Sequence, residues 1–230
     1  MTLDLMCSFD LETTGVDVTR DRIVTAACVD ISSSAGSYNL HEWLAGPGIE
    51  IPEGASNVHG ITTDIARRDG RDHDTVLWEV INHIYSAWDA GAALVVYNAS
   101  YDLSMLHALS GGAFEIRGLV IDPLVLDKHF DKYRRGSRKL VDVAAHYGIT
   151  LTEDDAHAAD ADALAAARVA YLMANRHWKD RWPADSDALM QLQREAKMEQ
   201  FTSFRDYMAK QGKTIDGDGG WPIQQHVLDL

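Results

Sequence analysis

Four acidic residues and one histidine have the types and spacing to gather into one cation-binding centre: Asp10, Glu12, Asp102, His157 and Asp162. Asp10 and Glu12 lie in Phe9-Asp10-Leu11-Glu12-Thr13-Thr14-Gly15, at the end of an apolar, strand-like run. The two-residue period of a strand puts both carboxylates on one face. Side by side they repel, and a hard cation with oxygen ligands would join them, which suits magnesium or manganese. Asp102 follows the apolar run Ala93 to Tyr97, in the first turn of a helix that begins where a central strand stops. Ligands commonly bind at that end of an open sheet. Asp162 stands in the first turns of an alanine-rich helical segment, with His157 in the stretch just before it. Each acid has a plain alternative, as a solvated strand-end charge or as a complement to a helix dipole. The conjunction is what points to chemistry, because three segments offer acids that one cleft could collect.

The elements that must position these groups are legible in outline. Leu3 to Phe9, Arg22 to Ile31 and Tyr38 to Leu44 read as three strands, joined by turns at Gly15 to Asp21 and Ser32 to Gly36. Thr62 or Thr63 is an N-cap for a short helix that ends near Gly70, and Asp72 or Asp74 caps a longer one. In that longer helix Val76, Val80, Ile84 and Trp88 form one apolar face, and Gly91 ends it. Ala93 to Tyr97 and Leu119 to Ile121 are short, continuously apolar runs of the kind buried on both faces. A helix from about Ser100, helical segments near 123–132 and 139–147, and the alanine-rich 158–174 complete an alternating pattern. A strand meander followed by alternating helices and strands makes the fold class α/β, a mixed sheet flanked by helices. Asp187 to Lys210 reads as an amphipathic helix with Leu189, Leu192, Ala196, Phe201 and Phe204 on its apolar face, and Gly212 to Gly220 as a mobile linker.

Composition narrows the class further. Hydrophobic residues are 46% and charged residues 24% of the 230, ordinary for a globular protein and unlike a disordered or membrane chain. No apolar run approaches the roughly 20 residues that span a bilayer. Met1 to Phe9 lacks the basic and long apolar regions of a secretory signal, so a cytoplasmic location is expected. Cys7 and Cys28 sit in strand-like runs without histidine spacing and read as small buried thiols, neither a disulfide nor a metal site. A net charge of −14 disfavours nonspecific binding to phosphate backbones, so any nucleic-acid contact must be local. The cluster Lys128, Lys132, Arg134, Arg135, Arg138 and Lys139 is the candidate for that contact.

Taken in order along the chain, these motifs resemble the DnaQ-like, or DEDD, exonucleases, in the DEDDh branch that carries histidine in its third motif. Asp10 and Glu12 match the first motif, Asp102 after Asn98 the second, and His157 with Asp162 the third. Val58-His59-Gly60-Ile61-Thr62 matches a segment that lies beside the substrate in such enzymes. The resemblance covers roughly residues 4 to 177 and implies a ribonuclease H-like mixed five-stranded sheet. It places an exonuclease domain at 1–180, a C-terminal helical appendage at 181–211 and a flexible tail at 212–230.

By the same resemblance the activity is a 3′→5′ exonuclease that uses two divalent cations, Mg2+ or Mn2+, held by Asp10, Glu12, Asp102 and Asp162. His157 is then the general base, which its ordinary pKa near 6.5 suits. Leu11, Thr13, Thr14, His59, Asn98 and Tyr101 are the candidate contacts to the terminal nucleotide. Tyr97 stands where relatives often carry histidine, and His59, His107, His129 and His146 are not expected to bind metal. The substrate is single-stranded or frayed DNA in proofreading or repair, with RNA 3′ ends the alternative, since discrimination rests on contacts to a 2′-hydroxyl. The last residues, Gln225-His226-Val227-Leu228-Asp229-Leu230, are similar to short sliding-clamp-binding peptides, which makes a clamp or polymerase the candidate partner. Against this, Trp221 and Val227 could instead fold back onto the domain.

Overall fold

A computed structural model describes residues 3–150, 159–215 and 217–228. Strands β1 (Leu5–Thr13), β2 (Ile23–Ser32) and β3 (Ser37–Gly46) form an antiparallel meander, and β5 (Ala93–Val95) and β6 (Val120–Ile121) extend it parallel to β1. The sheet has six strands, in the order β4-β3-β2-β1-β5-β6, rather than the five expected. The additional strand, β4 (Arg71–Asp72), is a two-residue parallel pairing with Ala45 and Gly46. Both its residues are charged and exposed, so no apolar periodicity announces it.

Helices α1 (Glu53–His59), α2 (Thr63–Asp69) and α3 (His73–Asp89) follow β3. Of the alternative caps, Thr62 accepts from the Ile65 amide and Asp72 from the Thr75 amide. Thr63 instead accepts from the Ile51 amide. Val76, Val80, Ile84 and Trp88 are buried on α3 as their spacing predicts, and Gly91, at φ 81°, ends the helix in a conformation that costs glycine little. Helices α4 (Ala99–Leu109), α5 (Pro123–Phe130), α6 (Leu140–His146) and α7 (Ala159–Leu172) alternate with or follow the last strands.

Strand alternation in β1 divides the core. Cys7, Phe9 and Leu11 face one cluster with α3 and α4, while Met6 faces a second cluster with α5, α6 and α7. Asp10 and Glu12 share the Met6 face, so they point toward α7, which packs directly on β1. Ala163, Ala166, Ala167 and Ala170 are buried on α7, and their small side chains let its backbone approach the sheet.

The C-terminal segments belong to this core. Helix α8 (Ser186–Lys210) buries Leu189, Met190, Gln193 and Ala196, all in its first half, whereas Phe204, expected on the apolar face, is 52% exposed. Gln193 serves the edge strand: its Oε1 accepts from the Asp122 amide at 2.7 Å and its Nε2 donates to the Val120 carbonyl at 2.9 Å. A helix side chain thereby covers an open sheet edge. The segment expected to be a free tail is docked over residues 217–228. Trp221, Ile223 and Val227 are buried against α4, and the short helix α9 (Gln225–Leu228) lies there. The Gln224 amide donates to Ser104 Oγ at 2.9 Å and its side chain to the Ser100 carbonyl at 3.1 Å. The glycine-rich composition of 212–220 concealed this, because the anchoring side chains come after it. Among the described residues, no helix is long and apolar enough to cross a membrane.

Candidate active site

Strand β1 runs through Asp10 and Glu12 to Thr13, farther than its apolar stretch suggests, with an irregularity in pairing between Glu12 and Thr13. Carboxylate oxygens of Asp10, Glu12 and Asp162 lie within 4.8 Å of one another. The fourth acid arrives from α4. Asp102 is 4% exposed, and its Oδ1 accepts from the Leu11 amide at 3.2 Å, which ties the helix start to the middle of the acidic motif.

The acids perturb each other as such a cluster must. Burial, then the charges of Asp102, Asp162 and Glu12, raise the Asp10 carboxyl well above its ordinary value. Burial and Asp162 push Glu12 up to about 7. Burial raises Asp102 well above normal, against the N–H groups of Asp102 and Leu11, with Asp122 and Glu12 adding to the rise. A cluster of oxygen donors that resists ionisation without compensating positive charge fits hard divalent cations.

The start of α4 is set by Asp122, a residue outside the acidic motifs. Asp122 is fully buried and caps α5, accepting from the Leu124 and Val125 amides at 3.0 and 3.3 Å. The same carboxylate accepts from the Asn98 and Ala99 amides at 3.0 and 2.9 Å and from Trp221 Nε1 at 3.3 Å. Asn98 has φ 66°, a left-handed conformation unusual outside glycine, and the Asp122 bonds hold the backbone there. The signal was present: aspartate directly before Pro123 is an N-cap followed by proline at the first helical position.

The candidate nucleotide contacts differ in availability. Leu11 is 6% exposed. Thr13 Oγ1 lies 2.7 Å from Tyr101 Oη and donates to the Gly15 carbonyl at 2.7 Å, and Tyr101 Oη donates to that carbonyl at 2.5 Å. Thr14 is 1% exposed; its hydroxyl donates to Asp21 and accepts from the Arg22 amide, bracing the turn after β1. A Cβ on Gly15 would stand 2.5 Å from that same Asp21 carboxylate, which would have to shift away from its Thr14 contact to admit one. His59 is half-buried beside the Thr13 backbone, and burial lowers its pKa. Its Nδ1 accepts from the Ile61 amide at 3.1 Å while the buried Nε2 has no hydrogen-bond partner. Tyr97 Oη donates to the Arg138 carbonyl at 2.5 Å. His157 lies outside the described residues.

Much of the basic segment is occupied within the protein. Asp127 is fully buried and pairs with Arg134 Nη2 at 2.6 Å and with Arg138 Nη1, both arginine side chains being 14% exposed. Lys132 pairs with Glu199 at 2.6 Å. Burial lowers the Lys128 pKa. Arg135 and Lys139 remain exposed and supply the local positive charge. Asp127 stands seven and eleven residues before the two arginines it pairs with, so nothing in the local pattern marks it as their internal partner.

With this geometry in place, the chain is assigned to a family: residues 7–170 match the RNase_T exonuclease family, and the protein belongs to it. Among curated relatives it is 29% identical over 171 residues to Exonuclease DPD1, chloroplastic/mitochondrial, of Arabidopsis thaliana, covering 70% of this chain and 53% of that protein. It is 31% identical over 165 residues to the DNA polymerase III subunit epsilon-like protein of Rhodobacter capsulatus, covering 69% of this chain and 22% of the relative. The chain thus spans about half or less of these relatives. Among solved structures, E. coli Exonuclease I in complex with a dA16 oligonucleotide has a TM-score of 0.62 at 19% identity, covering 76% of this chain and 42% of that one. A 3′-exonuclease described for 3′-end specific recognition of a histone mRNA stem-loop has a TM-score of 0.57 at 18% identity, covering 75% of this chain and 82% of that one. These likenesses establish the exonuclease fold, with its mixed sheet flanked by helices.

Proposed function

We propose that this protein is a metal-dependent 3′→5′ exonuclease that releases nucleoside 5′-monophosphates from single-stranded or frayed DNA. The observation that carries the reading is the convergence of Asp10, Glu12 and Asp162, with Asp102 held against the Leu11 amide, in a chain of the exonuclease family. Asp10, Glu12, Asp102 and Asp162 are the residues that would hold two magnesium or manganese ions. When bound, such ions supply Lewis-acid polarisation of a phosphate and a more acidic water.

The protein's own groups have separate work. His157, five positions before Asp162 in sequence, takes the proton from the attacking water. The backbone around Thr13 and Gly15, fixed by Tyr101 and Asp21, forms the wall for the terminal nucleotide, with Leu11, His59 and Asn98 beside it. Arg135 and Lys139 attract the phosphates of the following nucleotides, while the net charge of −14 weakens binding to long duplex tracts.

DNA is preferred here because relatives are named as polymerase III proteins and one structural neighbour was solved with a dA16 oligonucleotide, which also supports a proofreading or repair setting. RNA 3′ ends are the second reading, favoured by the neighbour described for recognition of a histone mRNA stem-loop. A clamp-binding role for 225–230 forms no part of this reading, since Val227 is 1% exposed and would have to leave the core.

The test is digestion of matched 5′-labelled DNA and RNA oligonucleotides with magnesium or manganese. Stepwise shortening from the 3′ end, abolished by Asp10→Ala, is expected. Undiminished cleavage by that variant overturns the assignment, and faster digestion of RNA overturns the choice of DNA.

A further inference from the structure

On the face of β1 opposite Asp10, a different donor set assembles. One ligand atom each from Cys7, Cys28 and His83 lies within 4.8 Å of the others, and Asp30, His41 and His83 form a second such group. The strand register accounts for the thiols. Asp30 is opposite Cys7, and Cys28 is opposite both Phe9 on β1 and His41 on β3. Residues opposite one another or two apart share a face, so Cys7, Cys28, Asp30 and His41 all point toward α3. There His83 meets them, its Nε2 3.0 Å from Asp30 Oδ2 and 3.1 Å from Oδ1. His41 Nε2 is 3.2 Å from Asp30 Oδ2.

No histidine stands near the cysteines in the chain, so their spacing alone indicates no metal site. The fold supplies one from α3. Two thiols fully removed from solvent are ordinary small core groups, and a histidine–aspartate pair is an ordinary surface contact. Their fusion into one cluster is not ordinary, since it puts an ionisable ring against two thiols where apolar packing would do. Asp30 lies 3.0 Å from His83 Nε2, so that ring nitrogen carries a proton that an incoming ion would displace.

We propose that Cys7, Cys28 and His83 form a binding site for one zinc-class transition-metal ion, with Asp30 as the oxygen donor that completes or orients the set. Thiolate and imidazole donors select soft or borderline ions, whereas carboxylates select magnesium and manganese, so the two faces of β1 take different metals. Loading the site displaces the proton of each thiol and the ring proton of His83 to solvent, with no change of oxidation state. A groove of about 310 Å³ borders the Asp30 and His83 side of the cluster, whereas the two thiols are fully buried and do not line it. The bound ion staples β1, β2 and α3 together directly behind the acidic motif, a structural site closed by its protein ligands.

The experiment is titration of the full-length, chelator-stripped protein with Co2+ under reducing conditions, followed by displacement. One equivalent should produce a near-ultraviolet thiolate-to-cobalt charge-transfer band that Zn2+ abolishes and excess Mg2+ does not. Asp10→Ala should keep the band, and Cys28→Ser or His83→Gln should weaken cobalt binding at least tenfold. X-ray absorption of the zinc-loaded wild type should show sulfur at about 2.3 Å. That measurement needs no variant, so it decides the matter even if a cysteine substitution prevents folding. A wild type without the band, or with only oxygen and nitrogen around zinc, overturns the proposal.

Discussion

Replacing Asp122 should loosen helix α4, the last strand and the C-terminal segment together. Its buried carboxylate accepts five N–H groups, from Asn98, Ala99, Leu124, Val125 and Trp221, at 2.9–3.3 Å. Burial raises its pKa, opposed by Lys197 and the backbone donors. Because these five partners donate, none can receive a carboxyl proton, and the arrangement calls for the ionised form. Asp122→Ala removes the α5 cap, at about 1 kcal/mol. It also orphans the donors of Asn98, Ala99 and Trp221, at about 1–3 kcal/mol each where buried. Release from burying a charge and entry of water offset part of this. The net expectation is a loss of about 3–5 kcal/mol.

Asp122→Asn separates the contributions. Keeping an oxygen at Oδ1 serves Asn98, Leu124 and Val125, while an amide at Oδ2 confronts the donors of Ala99 and Trp221. Two lost bonds predict about 1–3 kcal/mol. Urea unfolding followed by tryptophan fluorescence measures both variants. Because α4 carries Asp102, nuclease turnover should also fall on the order of 10–100-fold, the cost of a displacement near 1 Å. An alanine variant within about 1 kcal/mol of wild type, or an asparagine variant as unstable as alanine, would refute the reasoning.

Three further outcomes are expected. Arg138→Ala leaves buried Asp127 with Arg134 and Tyr147, and should cost about 2–4 kcal/mol of stability; Arg135→Ala should stay within about 0.5 kcal/mol yet weaken oligonucleotide binding. Thermal melts and a salt series of binding affinities distinguish the two, and the opposite pattern would make Arg138 the phosphate contact. Tyr101→Phe loses the bonds to Thr13 and Gly15 and should cost about 1 kcal/mol, with KM rising more than kcat falls if the turn after β1 is a nucleotide wall. Burial opposes ionisation of Asp218, but N–H groups of His226, Gly220 and Gln225 outweigh it and hold the carboxyl down to about 2. A depressed pKa means the docked tail is stabilised above the unfolded value of 3.8 and loses that support as pH falls toward 2. Proteolytic nicking near Trp221 should therefore increase below pH 4, and an onset above pH 5 would count against the Asp218 contacts.

The reach of the sequence differed from one part of the molecule to another. Asp10 and Glu12 were assigned to one face of a strand from period alone, and Asp102 to a helix start, because both inferences need only the nearest few residues. The alanine-rich α7 and the apolar face of α3 were legible for the same reason. Strand β4 was not, since two charged residues carry no pattern and pair only because β3 runs beside them.

The remaining differences share a physical cause. Asp122 gathers donors from α4, α5 and Trp221, the arginines of the basic segment turn inward to Asp127, and Trp221 and Val227 enter the core beside α4. Apart from the Asp122 cap of α5, these partnerships join residues seven or more positions apart, and each depends on which surfaces the folded chain brings together. The same holds for the two faces of β1. Residue types and order along the chain determined the acidic motif and the class of chemistry it could perform. Only tertiary structure decided that Asp162 and Asp102 reach it, and that Cys7, Cys28 and His83 meet behind it, because strand register and helix packing, not sequence distance, set which side chains share a volume.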